Sequence, residues 1–331
     1  MHMADALVAP AVAATMYTCS AVAAGYSVKK VKLVDDPKRI PVMGVMGAFV
    51  FATQMINFTI PGTGSSGHLC GGMLLSAILG PYAGFLTMIG VLQIQCLLFA
   101  DGGILALGCN IWNMAFYGCF IGAMLIWRPM MRKGACRWKI IAASVIGCIV
   151  TLQLGAFSVC LETTASGVTQ LPLTVFVSVM QPIHLAIGAV EGLITAAVLC
   201  FIYEARPELL WGINDGVDKK PGLSYKKTVI ILVTAAVVIG GGLSLAASEY
   251  PDGLEWSIQK ITGEDEIEAS DGIYEAAASV QEKTALLPDY SVKTTDSQAG
   301  TSLSGIVGGA AVIALCSLFC VMFRLFRRKH E

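Results

Sequence analysis

Residues 62–67 read Gly-Thr-Gly-Ser-Ser-Gly, inside the stretch 56–75, "INFTIPGTGSSGHLCGGMLL". The hexapeptide spells G-x-G-x-x-G, the fingerprint of a dinucleotide-binding turn. That reading requires a strand before it, a helix opening after it, and an acidic residue about 20 positions on, all within one βαβ unit. Here the first acidic residue after Gly67 is Asp101, and apolar runs flank the glycines on both sides. The match is accidental, and a nicotinamide enzyme is excluded. What glycines do supply is a backbone free to turn sharply and approach neighbours closely. Gly62, Gly64, Gly67, Gly71 and Gly72 let a loop dip into a helical body and carry His68 to depth. Such a loop is tolerated inside a membrane only where protein or a cavity satisfies its polar groups.

The flanking runs decide the class. Of 331 residues 55% are hydrophobic and 14% charged, with mean hydropathy +0.70. A soluble chain carries about 25% charged residues. Nine apolar segments are read at 10–28, 41–57, 68–80, 82–100, 105–127, 139–160, 177–203, 228–247 and 303–323. An apolar run near 20 residues spans a 30 Å bilayer core as a helix, so the fold class is an all-α polytopic membrane bundle of about nine transmembrane helices. The third segment is short, and is expected to be tilted, broken or re-entrant.

Charge placement sets the orientation. With the N-terminus outside, Lys29, Lys30, Lys32, Lys38 and Arg39 fall in the first inner loop. Arg128, Arg132, Lys133, Arg137 and Lys139 fall in a second, and Arg206, Lys219, Lys220, Lys226 and Lys227 in a third. Arg324, Arg327, Arg328 and Lys329 follow the last helix, so nineteen of the 22 basic residues lie inside. Only Lys260, Lys283 and Lys293 remain outside, as the positive-inside rule demands of an N-out, C-in chain. Those three lie in the polar segment 248–302, which holds twelve Asp or Glu. It reads as a solvated acidic loop, and equally as a field that gathers cations at the outer face.

Other classes fall away. Net charge −1 with no basic stripe argues against nucleic acid. The eleven cysteines are scattered with no C-x-x-C, so they read as small apolar packers rather than zinc ligands. No G-x-x-x-x-G-K-[ST] occurs, so the chain has no P-loop for ATP hydrolysis. The start "MHMADALVAP" has no Lys or Arg before Lys29, unlike a secretory signal, so Met1 is expected to be kept.

Four histidines carry the metal chemistry on offer: His2, His68, His184 and His330, the last in the basic tail. The Met1 amine, the deprotonated His2 backbone nitrogen and His2 Nδ1 form fused chelate rings around one ion. The His68 imidazole closes a fourth position, and all-nitrogen square-planar coordination suits Ni(II) or Cu(II). The plainer reading leaves His2 in a disordered terminus. His184 and Glu191 stand seven apart on one predicted helix, within about 20° of one face and roughly 10 Å apart. They read as supporting or gating groups, or as interhelical packing partners. Asn110 and Asn113, one turn apart, read the same way, and Asn57, Gln93, Gln95 and Asp101 read as hydrogen-bonding groups at helix ends. A rival enzyme reading pairs Ser66 with His184 as an intramembrane serine protease dyad.

Four stretches together carry a resemblance: "MHMADALVAP" (1–10), "NFTIPGTGSSGHLCGG" (57–72), "LLFADGGILALGCNIWNMA" (97–115) and "HLAIGAVEGLITAAV" (184–198). In this order they resemble the membrane substrate-binding component of nickel/cobalt energy-coupling-factor (ECF) transporters, the CbiM/NikM family. "YPDGLEW" (250–256) and "LLPDY" (286–290), followed by one more helix, resemble the PDGLE-type accessory component, here fused. The resemblance implies a metal-binding domain over 1–210, a cytoplasmic linker over 211–227 and an accessory domain over 228–331. It implies Ni2+, or Co2+, as transported substrate rather than catalysis, held by Met1, His2 and His68. It implies as partners a transmembrane coupling subunit and two cytosolic ATPases, in a prokaryotic inner membrane. The start resembles the nickel branch more than the cobalt branch.

Overall fold

The computed structural model describes residues 1–31, 39–169, 171–213, 222–264, 267, 272–291 and 298–328. Lys32, Lys38, Lys219, Lys220, Lys293, Lys329 and His330 lie outside the described residues, as do Asp265, Glu266, Glu268, Asp271 and Asp296.

Each of the nine apolar segments contains a helix. They are α1 (Pro10–Lys30), α2 (Arg39–Gln54), α3 (Gly72–Leu79), α4 (Pro81–Phe99), α5 (Leu107–Met131), α6 (Arg137–Ser166), α7 (Leu173–Ala205), α8 (Tyr225–Gly241) and, last in the chain, α11 (Gln298–Arg328). Six are long and apolar enough to cross a membrane: α1, α4, α5, α6, α7 and α11. The count of nine spans therefore exceeds what length supports, because α2 has 16 residues, α8 has 17 and α3 only 8. At 1.5 Å per residue α3 reaches about 12 Å, far short of a bilayer core. All its residues are buried, so it is a half-helix enclosed by protein.

Two features depart from an all-helical reading. Phe58–Ile60 (β1) and Ser65–Gly67 (β2) pair antiparallel, with Thr59 opposite Ser66, so the G-x-G-x-x-G stretch is the tip and return strand of a hairpin. Gly62 and Gly64 hold φ of 78° and 75°, values that glycine alone adopts without strain. The acidic segment also folds, into α9 (Gly253–Thr262) and α10 (Gly272–Thr284), rather than remaining a solvated loop.

Close helix packing runs through glycine. α7 meets α6 at Gly188 and Gly192, where an added Cβ would lie 3.0 Å from Ile149 Cα and 2.6 Å from Val145 Cα. α5 meets α3 at Gly118, where a Cβ would come within 2.8 Å of Gly72 Cα. Backbone cannot rotate aside, so Gly118→Ala is expected to cost about 1–3 kcal/mol by overpacking. The check is a lowered thermal midpoint for the detergent-solubilised variant. The accessory helices α8 and α11 pack on α2, on the side of the bundle away from the α6–α7 pair.

Candidate metal centre

The chain start is pinned before it reaches α1. Met3 N–H donates to Asn110 Oδ1 at 2.7 Å, and Asn110 Nδ2 returns a bond to the Met3 carbonyl at 3.2 Å. Gly103 N–H donates to the same carbonyl at 2.9 Å, and Asp5 Oδ1 accepts from Ala106 N–H at 3.0 Å. A Cβ at Gly103 would sit 1.8 Å from Asp5 Oδ1, so this approach requires glycine.

Thus clamped, Met1 and His2 face the hairpin. The Met1 nitrogen lies 3.0 Å from His68 Nε2. His68 Nδ1 donates to the Leu69 carbonyl at 3.0 Å, leaving Nε2 as the lone-pair nitrogen toward the amine. With metal–nitrogen bonds of about 2.1 Å, adjacent corners of a square plane stand about 3.0 Å apart. The His2 ring stacks on His68 with centroids 5.1 Å apart. Its Nδ1 lies 3.1 Å from Asp101 Oδ1 and its Nε2 lies 3.3 Å from Gln95 Oε1. The structure therefore brings the amine and His68 into ligand spacing, and turns the third nitrogen, His2 Nδ1, toward Asp101.

Asp252 completes the arrangement, and the reading of single residues did not find it. Its Oδ2 accepts from the Met1 ammonium, while its Oδ1 caps α9 through Leu254 N–H and Glu255 N–H at 2.7 and 3.0 Å. Glu255 Oε2 returns the bond to Asp252 N–H at 3.1 Å, a capping box. A Asp-x-x-Glu spacing is legible in "PDGLE", but its meeting with Met1 spans 251 positions.

Burial and charge set the protonation. Burial lowers the Met1 amine, but the Asp252 carboxylate outweighs it through charge and hydrogen bond, and the net shift is upward. His2 and His68 are both pushed down to about 3, by burial first and the neighbouring ammonium second. Burial raises Asp252, yet the ammonium and His68 outweigh it and hold the carboxyl below its ordinary range. At neutral pH both imidazoles offer lone pairs, and a metal taking the amine must displace its proton. The site opens on a cavity of about 530 Å³ whose walls include Asp5, Asp101, Asp252, Glu255 and Asp289.

The remaining sequence-derived residues divide. Glu191 accepts from Cys70 N–H and Gly71 N–H, each at 2.9 Å, and so holds the turn that follows His68. His184 Nδ1 donates to the Met180 carbonyl at 2.8 Å; its Nε2 is buried without a partner, beside a small cavity shared with Met1, His68 and Asp252. Asn113 donates to Glu162 Oε2 at 2.7 Å and to Met3 Sδ at 3.6 Å. Ser66 Oγ donates to the Tyr250 carbonyl at 2.7 Å, not to His184, so the protease dyad is not formed.

Comparison with known proteins now gives the family. The profile of the cobalt uptake substrate-specific transmembrane region, CbiM, matches residues 2–209. The chain belongs to the CbiM family. A PDGLE domain matches residues 226–325, so this CbiM chain carries a fused PDGLE region that includes Asp252 and Tyr290. A chain of Archaeoglobus fulgidus assigned as a fused nickel transport protein, NikMN, is 35% identical over 95% of this chain and 96% of its own length. The fused nickel transport protein NikMN of Rhodobacter capsulatus is 27% identical over 99% of each chain. The crystal structure of a truncated transition metal transporter is 33% identical with a TM-score of 0.54, covering 62% of this chain and 99% of that one. With its six apolar helices, this CbiM chain is a multi-pass membrane protein of metal-ion transport.

Proposed function

We propose that this chain is the substrate-capturing subunit of an ATP-driven ECF-type importer, taking Ni2+ in preference to Co2+. One observation carries the reading: the Met1 amine and His68 Nε2 meet at 3.0 Å on the wall of an acidic cavity. The acidic cavity draws a divalent cation in, and the Met1 amine, the His2 amide and imidazole and the His68 imidazole replace its water. His184, Glu191, Asn110 and Asn113 support that shell. Four nitrogens in a plane match Ni(II) better than the oxygen-rich settings that suit harder ions, and the NikMN relatives agree with nickel. The chain lies N-out and C-in in a prokaryotic inner membrane, with the three shorter helices completing nine membrane segments. A coupling subunit and two ATPases supply the energy.

The test is metal content after purification from cells grown with nickel, cobalt and zinc together. Equimolar nickel that cobalt displaces weakly and zinc does not is the expected result. His68→Ala is expected to lose it, and nickel retained by that variant at wild-type affinity sinks the assignment.

A further inference from the structure

The His2 chelate ring closes only through Nδ1, because Nε2 points away from the residue's own backbone nitrogen. The imidazole must therefore carry its hydrogen on Nε2, and either tautomer is open to a neutral ring. We infer that Tyr290, in the fused PDGLE region, is a positioning residue that selects the His2 tautomer with a free Nδ1, acting through Gln95. The inference rests on the proposed nickel site and adds to it the accessory residue that prepares it.

Hydrogen-bond direction makes the argument. The Tyr290 hydroxyl donates its single hydrogen to Asp101 Oδ2. Its oxygen is then left only to accept, and Gln95 Nε2 donates to it at 3.4 Å. With its amine end committed to Tyr290, Gln95 turns its carbonyl oxygen toward His2 Nε2 at 3.3 Å. An amide oxygen only accepts, so His2 Nε2 supplies the hydrogen and Nδ1 keeps its lone pair. A ligating histidine whose second nitrogen is held in this way is the usual means of fixing tautomer and ring orientation.

The tyrosine is built to hold its place. Its ring stacks on Phe99 with centroids 4.9 Å apart, and Ser304 Oγ donates to its carbonyl at 2.9 Å. Tyr290 and the preceding Asp289 have φ of 57° and 49°, a left-handed region that costs a non-glycine residue about 1–3 kcal/mol. Two such residues in succession aim this side chain at Asp101 and Gln95, on the wall that also holds His2.

Tyr290→Phe keeps the stacked ring and removes only the hydroxyl, freeing Gln95 to flip. Nickel affinity of the full-length purified variant is expected to fall about 10–100-fold. Nitrogen-15 NMR of histidine-labelled, metal-free protein is expected to show His2 moving from one tautomer to a mixture. Adding Gln95→Glu to Tyr290→Phe restores an acceptor-only group opposite Nε2 and is expected to recover most of the affinity and the single tautomer. If wild-type protein binds no nickel, the proposed function fails. If it binds nickel while Tyr290→Phe changes neither affinity nor tautomer, or lowers affinity with the tautomer unmoved, the relay alone is overturned.

Discussion

One alanine placed ahead of Met1 is expected to abolish nickel retention. The added residue carries the amine up to about 3.8 Å away and leaves a secondary amide where the primary amine stood. The chain cannot slide to compensate, because Met3 is held by Asn110 at 2.7 and 3.2 Å and by Gly103 at 2.9 Å. Asp252 loses its ammonium, and a buried carboxylate stripped of its partner costs roughly 3–5 kcal/mol. Apparent binding energies of 10–16 kcal/mol for four-ligand metal sites divide to roughly 3–4 kcal/mol per donor, so losing the amine should cost about 10²–10³-fold in affinity. The measurement is competition for nickel against a chelator, with intact mass confirming the first residue of both proteins. Equal affinity in the extended protein would remove the amine from the ligand set. Acidification should weaken the wild-type site too, because the ammonium's proton competes with the metal and its affinity for that proton is raised by Asp252. Retention is therefore expected to rise with pH through the neutral range, and a flat profile would argue that the amine is not a ligand.

Helix positions were legible because burial in lipid demands apolar runs, and every run holds a helix. Crossing was less legible, since a run in α3 or α2 is equally apolar whether it spans the bilayer or is wrapped by neighbours. The hairpin escaped the reading because strands of three residues built from Ser, Gly and Thr have no alternating apolar signal. Gly62, Gly64 and His68 did mark a turning loop that delivers an imidazole inward, and the structure places that ring against Met1. Asp252 could not be picked out among twelve acidic residues of its segment. Nothing local distinguishes a helix-capping aspartate from one whose second oxygen meets an ammonium 251 positions away. Tyr290 was hidden for the same reason, as its value lies in its partners Asp101 and Gln95. His184 and Glu191 share a helix face as the spacing requires, yet each addresses a different part of the hairpin-to-α3 turn, which only tertiary packing decides.

Glu191→Ala is expected to be the most damaging substitution away from the ligands themselves. The Glu191 carboxylate is 1% exposed and takes two backbone N–H groups, from Cys70 and Gly71, at 2.9 Å each. Removing it orphans both donors in a setting that admits no water, at about 1–3 kcal/mol apiece. Gly71 sits at φ 79°, and the N–H pair there is what keeps the chain turning from His68 into α3. The variant should therefore lose thermal stability and nickel affinity together, because the same turn sets where His68 Nε2 lies. Glu191→Gln separates the two roles of the carboxylate: an amide oxygen can serve one N–H well but cannot bridge both, so an intermediate midpoint and affinity are expected. Scanning fluorimetry in detergent and chelator competition on the same samples decide the matter. A Glu191→Ala protein with wild-type midpoint and wild-type affinity would show that the turn holds itself, and that an intramembrane carboxylate is retained here for a different task.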